Sequence, residues 1–231
     1  MILDRRQLER DTLEAGPRLL GARLVRGRGP AARVGRIVEV EAYIGRGDLA
    51  SHAHSGRTPR NATMFGMPGR AYVYLTYGMH HCLNVVTEAD GAPAALLVRA
   101  VEPVAGIEAM RAARLAWTES RSRATPNDRL ETARHRIVAL GDELLASGPG
   151  LLCQAFSITR ADDGVDLCDP ASDLRLEFEP GDGPVAFETG PRIGMGTVPE
   201  PWHGIAWRFH VTGNPAVSHR RRRPSEDLGQ S

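Results

Sequence analysis

Residues 34–44 read VGRIVEVEAYI and form the clearest strand pattern in the chain. Side chains of a strand alternate between its two faces, so this pattern predicts one apolar face and one face with acidic and aromatic groups. The apolar face carries Val38, Val40 and Ala42, and the opposite face carries Ile37, Glu39, Glu41 and Tyr43. We therefore expect two carboxylates and a phenol ring on one side of a sheet.

A second strand pattern surrounds a short turn. Residues 71–75 (AYVYL) and 80–86 (HHCLNVV) both suit strands, and TYG at 76–78 suits a turn. This spacing predicts a β-hairpin with Tyr77 at its tip. Alternating apolar residues predict further strands at 96–101, 174–178 and 207–211.

Helical patterns are spread between these strands. Asp11, with Glu14 three residues later, predicts a helix start. The apolar positions of this first helix are Leu13, Leu19, Leu20 and Leu24. Other helices are predicted at 103–115, within 128–146 and from residue 149. Residues 45–70 are rich in Gly, Arg, His and Pro and predict a loop or short helical turns; a loop of this length is more often functional than structural.

The strands are grouped rather than alternating strictly with helices, so the sequence predicts the α+β class. We expect a single domain with a curved, mostly antiparallel sheet and flanking helices. A length of 231 residues suits one hydrophobic core. The domain is expected to cover residues 1–218, and residues 219–231 are expected to form a disordered basic tail because they have no apolar period.

The composition also bears on the compartment of the cell. The longest apolar runs, such as residues 92–101, are far shorter than the roughly 20 residues of a membrane span. The first ten residues lack the apolar stretch of a secretory signal, and three cysteines are too few for a disulfide scaffold. We therefore expect a cytoplasmic protein with reduced thiols and no membrane partner.

The basic residues are unusual because all 29 are arginine and none is lysine. Schiff-base chemistry needs an amine nucleophile, and the phosphate-binding P-loop needs its lysine. The composition therefore disfavours lysine aldolases, pyridoxal-phosphate enzymes and P-loop nucleotide hydrolases. The amino terminus is the one remaining amine.

The net charge of +1 hides an uneven distribution along the chain. Residues 1–160 contain 22 Arg and 16 acidic residues, whereas residues 161–213 contain 3 Arg and 10 acidic residues. A basic excess of this kind suits a surface that binds nucleic acid, although a solvated surface is the other interpretation. The tail adds Arg220–Arg223, which could raise non-specific affinity for DNA.

Several side chains are candidates for chemistry. Glu39 and Glu41 could form an acid–base pair, or both could be solvated or ion-paired. Their spacing separates the side chains by roughly 7 Å, so we expect one of them to act alone. The histidines show no metal-binding spacing, which disfavours a metal site. Cys82 is expected to pack as a small hydrophobe rather than to act as a nucleophile.

The tyrosines are confined to 35 residues, and Arg57, Arg60 and Arg70 lie among them. The four positions are Tyr43, Tyr72, Tyr74 and Tyr77. Aromatic rings next to arginines suit stacking on a nucleic-acid base beside its phosphates. A tyrosine-bearing sheet core is the alternative, and the predicted turn position of Tyr77 argues against it for that residue.

Taken in order, these motifs resemble the alkyladenine (3-methyladenine) DNA glycosylase family, and in particular its bacterial members. The matching positions are EVEAY at 39–43, His52, RTPRN at 57–61, MF at 64–65, YVYLTYGM at 72–79, Asn84, LVRAVEP at 97–103, SGP at 147–149, LCQA at 152–155, PRIG at 191–194 and GNPAVS at 213–218. The resemblance spans about residues 11–218, is weakest at 115–145 and is absent in the tail.

The resemblance implies a monofunctional enzyme without metal or cofactor. Such an enzyme flips an alkylated purine out of double-stranded DNA and hydrolyses its N-glycosidic bond to start base-excision repair. By match, Glu41 would activate water, which Arg99 and the Ile193 carbonyl would hold. The base pocket would consist of Tyr43, His52, Tyr74 and Asn84, with Tyr77 wedged into the duplex and Arg57, Arg60 and Met64 at the DNA backbone. The implied location is cytoplasmic and nucleoid-associated, and the simplest assembly is a monomer, since one flipped nucleotide needs one pocket.

The implied chemistry also follows from the charge of the substrate. A purine alkylated at N3 or N7 is cationic, so it leaves without a protein acid and is attracted to aromatic faces. An aromatic pocket and one carboxylate therefore suffice. Two other hypotheses are a non-catalytic DNA-lesion-binding module and a small-molecule hydrolase that uses Glu41 and His52. A protein that only binds DNA has no need of a carboxylate, which would repel the phosphates. Glu41 therefore distinguishes a glycosylase from the lesion-binding module.

Overall fold

The computed structural model describes residues 1–121, 127–179 and 184–218. Its eight strands are β1 Arg23–Arg26, β2 Arg33–Ile44, β3 Ala71–Thr76, β4 His80–Val86, β5 Ala94–Ala105, β6 Leu174–Glu177, β7 Phe187–Gly190 and β8 Arg208–Val211. Its helices are α1 Thr12–Leu19, α2 Ile107–Ser120, α3 Asn127–Val138 and α4 Pro149–Ala155. Residues 219–231, the predicted basic tail, lie outside the described part of the chain.

The strands form a single curled antiparallel sheet in the order β3-β4-β5-β2-β1-β6. One edge of β2 pairs with β5, and the other edge is shared by β1 and β8. Strand β7 extends the sheet beyond β8. The predicted α+β class with a curved antiparallel sheet is confirmed.

The pairing of β2 with β5 contains three register shifts, and two of them lie at the middle of β2. Between Ile37 and Val40 the pairing passes over Val38 on β2 and Arg99 on β5. A bulge of this type redirects side chains relative to strict alternation. Ile37 consequently packs in the main core, whereas Val38 packs on the other face with Ala216. The predicted faces of Ile37 and Val38 are therefore wrong, because the bulge interrupts the two-residue period.

Strands β3 and β4 form the predicted hairpin. Thr76 pairs with His80, and the turn between them is closed by a hydrogen bond from the Met79 amide to the Thr76 carbonyl (3.0 Å). Tyr77 and Gly78 both have positive φ values, 49° and 63°. Glycine adopts this conformation without steric cost and tyrosine does not, so the tip holds Tyr77 in an unfavourable backbone region.

The helices follow their sequence signals with three corrections. Helix α1 starts as predicted, with the Asp11 carboxylate accepting from the Leu13 amide (2.8 Å). It ends at Leu19, so Leu24 belongs to β1. The helix predicted at 103–115 begins only at Ile107, because β5 continues through residue 105 and Gly106 turns the chain with φ 71°. Within 128–146, the helix ends at Val138 and a short 3-10 turn follows.

The main core lies between one face of the sheet and the helices. Its fully buried members include Leu24, Ile37, Leu96, Met110 and Phe156. A smaller cluster around Met64, Tyr72 and Val86 packs beneath the loop of residues 45–70. In the described part of the chain, no helix is long and apolar enough to cross a membrane. Tyr43 and Tyr74 pack against the smaller cluster.

Candidate active site

A cavity of about 370 Å³ lies between the hairpin, strands β2 and β5, the loop of residues 45–70 and the segment of residues 193–195. Eight of the eleven predicted site residues line it: Tyr43, His52, Met64, Tyr74, Tyr77, Asn84, Arg99 and Ile193. A larger cavity of about 1020 Å³ lies at the amino terminus, but its lining includes none of the eleven predicted site residues. The smaller cavity is the candidate site.

Glu41 lies beneath the wall of this cavity and is fully buried. Its Oε1 accepts a hydrogen bond from the Ile193 amide (2.7 Å) and lies 3.2 Å from Arg99 Nη1. Its Oε2 accepts a hydrogen bond from the Tyr43 hydroxyl (3.0 Å). Three groups that line the cavity therefore hold this carboxylate.

The protonation of Glu41 depends on opposing effects. Burial is the largest effect and raises the pKa of Glu41 above its ordinary value. The Arg99 charge, the Ile193 amide and the Tyr43 hydroxyl act in the opposite direction because they stabilise the ionised form. A carboxylate with a raised pKa binds a proton more readily than a solvent-exposed one, which suits a general base.

Glu39 is also fully buried but has different partners. Its Oε1 lies 3.1 Å from both Arg99 Nε and Arg208 Nη1, and its Oε2 accepts from the Ser218 amide (2.7 Å). These contacts match the ion-paired alternative for this residue. Arg99 thus bridges the two glutamates, and its own pKa is raised by their charges against the effect of burial.

The aromatic walls come from β2, β3 and the loop. The His52 and Tyr74 rings are 4.4 Å apart in an edge-to-face arrangement. His52 Nδ1 lies 3.1 Å from the Tyr72 hydroxyl. Burial, reinforced by the Arg60 charge, lowers the pKa of His52, and burial raises the pKa of Tyr72 to about 12. These rings are therefore uncharged near neutral pH.

Two further predicted residues mark the limits of the cavity. Asn84 is buried, and its Nδ2 donates a hydrogen bond to the Tyr72 carbonyl (3.0 Å). Tyr77 lines the cavity but is 85% exposed. The side chain at the hairpin tip therefore projects into solvent beside the opening.

The residues predicted at the DNA backbone are in two different environments. Arg57 and Arg60 are exposed, and Arg60 Nη2 donates to the Leu75 carbonyl (3.1 Å). Met64 is only 2% exposed and packs with Tyr72. The Met64 side chain therefore lies in the cavity wall, and the contact of residue 64 with the DNA backbone stays a prediction.

Two residues of the site were missed by the sequence analysis. Arg192 and Asp48 form a buried ion pair of 2.6 Å, and the Arg192 guanidinium carbon lies 4.7 Å from the Tyr43 ring centroid. Arg192 Nη1 also donates to the Ala42 carbonyl (2.9 Å). The neighbouring Ile193 amide is thereby held near Glu41. The PRIG motif contains Arg192, but no local pattern links it to Asp48, 144 positions away.

Metal and thiol chemistry have little support in the described residues. No group of three or more His, Cys, Asp or Glu side chains there could hold a metal ion. Cys82 lines the cavity, is 4% exposed, and burial raises its pKa to about 11. A protonated, buried thiol is a poor nucleophile, so Cys82 packs as the sequence predicts.

Comparison with known proteins identifies the class to which this fold and site belong. The family model described as Methylpurine-DNA glycosylase (MPG) matches residues 6–215. The chain therefore belongs to the methylpurine-DNA glycosylase family, whose members are hydrolases acting on N-glycosyl bonds.

Individual relatives extend over nearly the whole chain. A protein of Methanocella arvoryzae is 46% identical over 222 residues, covering 95% of this chain and 96% of its own. A protein of Koribacter versatilis is 42% identical, and the match covers 95% of this chain and 94% of the relative's length. A protein of Bacillus thuringiensis is 41% identical, and the match covers 92% of this chain and 96% of the relative's length. Each of the three is named "Putative 3-methyladenine DNA glycosylase".

Proposed function

We propose that this protein is a monofunctional DNA glycosylase that flips alkylated purines, of the 3-methyladenine and 7-methylguanine type, out of double-stranded DNA. It hydrolyses the N-glycosidic bond and so initiates base-excision repair. The observation that carries the proposal is the fully buried Glu41 carboxylate, held by Tyr43, Arg99 and the Ile193 amide at the wall of an aromatic cavity.

Glu41 is the general base of the proposed reaction. A water molecule between Glu41 and the sugar attacks the anomeric carbon, and its proton passes to the carboxylate. The N-glycosidic bond breaks, and its electron pair moves to the purine nitrogen. A cationic purine thereby leaves as a neutral base, so no protein acid is required. Arg99 and the Ile193 carbonyl are assigned to hold the water.

The aromatic walls bind the base. Tyr43, His52 and Tyr74 enclose the purine, and each favourable contact between a cation and a ring contributes about 0.5–2 kcal/mol. Asn84 narrows the pocket between β3 and β5 and selects among purines. Burial lowers the pKa of His52 and raises the pKa values of Tyr43 and Tyr74, so none of the three rings carries a positive charge that would repel a cationic base near neutral pH.

The outer residues bind and distort the duplex. Flipping a nucleotide costs a few kcal/mol, and an inserted side chain offsets part of that cost. Tyr77 is assigned this role because it is exposed at the hairpin tip beside the cavity. Arg57 and Arg60 are assigned to the DNA backbone. The glycosylase domain covers residues 1–218 and acts as a monomer without a cofactor.

The proposal excludes lyase activity. Cleavage of an abasic site by β-elimination uses an amine that forms a Schiff base with the sugar. The chain contains no lysine. The Met1 amino group is engaged with the Phe178 carbonyl (2.5 Å), at the cavity remote from Glu41. Strands should therefore break only when the abasic product is treated with alkali.

The decisive experiment measures free base released from methylated duplex DNA by wild type and by Glu41→Gln. We expect release by wild type, a loss of at least about a hundredfold in Glu41→Gln, and similar DNA binding by both. Glu102→Gln is the matched control, since Glu102 lies on the same sheet in a partly exposed, 3.8 Å pair with Arg36. Equal release by Glu41→Gln would overturn the mechanism. Tight binding to damaged DNA without release by wild type would support the lesion-binding module instead.

A further inference from the structure

The turn that carries Tyr77 is packed against the end of helix α2. His80, the first residue of β4, pairs with Thr76 and so closes this turn. The His80 imidazole stacks on the Trp117 indole, with ring centroids 5.6 Å apart and an angle of 19° between the planes. Trp117 lies in the last turn of α2, in the region where the resemblance to the family is weakest. The helix end therefore touches the base of the hairpin tip.

Arg121 extends this contact to the turn itself. Its guanidinium carbon lies 5.3 Å from the Trp117 ring centroid, which is a cation–π distance. Its Nη2 lies 3.5 Å from the Gly78 carbonyl. One arginine side chain therefore contacts both the indole and the backbone next to Tyr77.

Helix α4 holds the same histidine from another side. A Cβ atom at Gly150 would lie 3.1 Å from His80 Cβ and Cγ, so a larger residue there would require His80 to shift. Gln154 Nε2 lies 3.5 Å from His80 Nδ1. Pro149, the residue before Gly150, lines the cavity. The ring of His80 thus links the turn to the helix that forms part of the pocket.

The turn has little support of its own. Tyr77 is 85% exposed, and the two central residues of the turn, Tyr77 and Gly78, have left-handed backbone conformations. A loop that becomes ordered only on binding pays conformational entropy at that moment, which weakens binding. A side chain that must enter the duplex as the base leaves benefits from a turn that is already fixed.

We propose that His80, Trp117 and Arg121 form a clamp that fixes the Tyr77 turn for insertion into duplex DNA, making Trp117 and Arg121 positioning residues for base flipping. This inference rests on the proposed glycosylase function. Neither residue lines the cavity that holds the base. Their effect is therefore confined to extrusion of the base, and bond hydrolysis in the pocket is unaffected.

The test compares two duplexes under single-turnover conditions. Both contain one 7-methylguanine, opposite cytosine in the first and opposite an abasic site in the second, where flipping costs less. Trp117→Ala should lower the rate about tenfold on the first duplex, which is a rise of about 1.4 kcal/mol in the barrier. On the second duplex the rate should fall less than about twofold. Trp117→Phe keeps an aromatic ring for His80 and should restore most of the rate.

Other outcomes separate the clamp from the function. An equal loss on both duplexes, or no loss on either, would overturn the clamp while leaving the glycosylase intact. No release by wild type from either duplex would instead contradict the proposed function. If Trp117→Ala does not fold, Arg121→Ala decides, because Arg121 is exposed and its removal leaves the core unchanged. Arg121→Ala should lower the rate of base release only on the duplex with cytosine opposite the lesion. Arg121→Lys should recover part of that rate.

Discussion

Glu39 and Glu41 share one arginine: Arg99 Nε lies 3.1 Å from Glu39, and Arg99 Nη1 lies 3.2 Å from Glu41. The bulge lies at this point, because the β2–β5 pairing passes from the Glu39–Ala100 pair to the Val40–Val98 pair and skips Arg99. The two carboxylates nevertheless have separate roles. Glu39 is bound on all sides by Arg99, Arg208 and the Ser218 amide, whereas Glu41 is bound by groups of the cavity.

The first prediction concerns the stability contributed by Glu39. Glu39→Gln removes the buried carboxylate that faces Arg208 and leaves Arg99 with Glu41 alone. Breaking one partner of a buried pair typically costs about 3–5 kcal/mol. We expect a loss of that size in the free energy of unfolding in urea. Glu102→Gln, in a partly exposed pair, should cost less than about 1 kcal/mol. Similar losses in the two variants would contradict the structural role of Glu39.

The second prediction concerns the pH dependence of base release. A general base must be ionised, and burial raises the pKa of Glu41, so activity should fall as the pH drops through that raised value. Arg99 lowers the pKa of Glu41, so Arg99→Gln should move the acid limb to higher pH as well as slow the reaction. Single-turnover rates across the acid range measure the shift. Tryptophan fluorescence at each pH shows whether the protein is folded, and an acid limb displaced to lower pH would contradict the assignment.

The third prediction separates function from stability at the hairpin tip. Tyr77 has φ 49°, a conformation that costs a non-glycine residue about 1–2 kcal/mol. Tyr77→Gly relieves this strain and removes an exposed ring, so the melting temperature should stay equal or rise. Base release from paired duplex DNA should nevertheless fall about tenfold or more, because the wedge is lost. Full activity of the variant on paired duplex would contradict the insertion of Tyr77, and a lower melting temperature would contradict the backbone strain at this position.

The fourth prediction concerns the thiols. Burial raises the pKa of both Cys82 and Cys168 to about 11, and Cys153 is fully enclosed. Thiolates are the reactive form, so all three cysteines should react slowly with an alkylating reagent near neutral pH. In urea, three equivalents should react quickly. Fast labelling of Cys82 in the native protein, detected by mass spectrometry, would show that the cavity opens far more than its geometry indicates.

Local patterns of the chain were sufficient for a substantial part of this description. The alternation of residues 34–44, the TYG turn and the cap at Asp11 each specify an element through contacts between near neighbours. Such contacts depend on backbone geometry and side-chain type within a few residues. The antiparallel α+β architecture and the placement of Tyr77 at the tip follow from them.

Other features depend on residues that are distant in the chain. The faces of Ile37 and Val38, the late start of α2 and the burial of Met64 are set by how strands and loops pack. The partners of Glu41 come from three segments, and the Asp48–Arg192 pair joins positions far apart. A two-residue period cannot indicate which strand bulges, since bulging is decided by the neighbouring strand. Motifs could therefore nominate Glu41 and Arg99, but only long-range packing removes the Glu41 carboxylate from bulk solvent and raises its pKa.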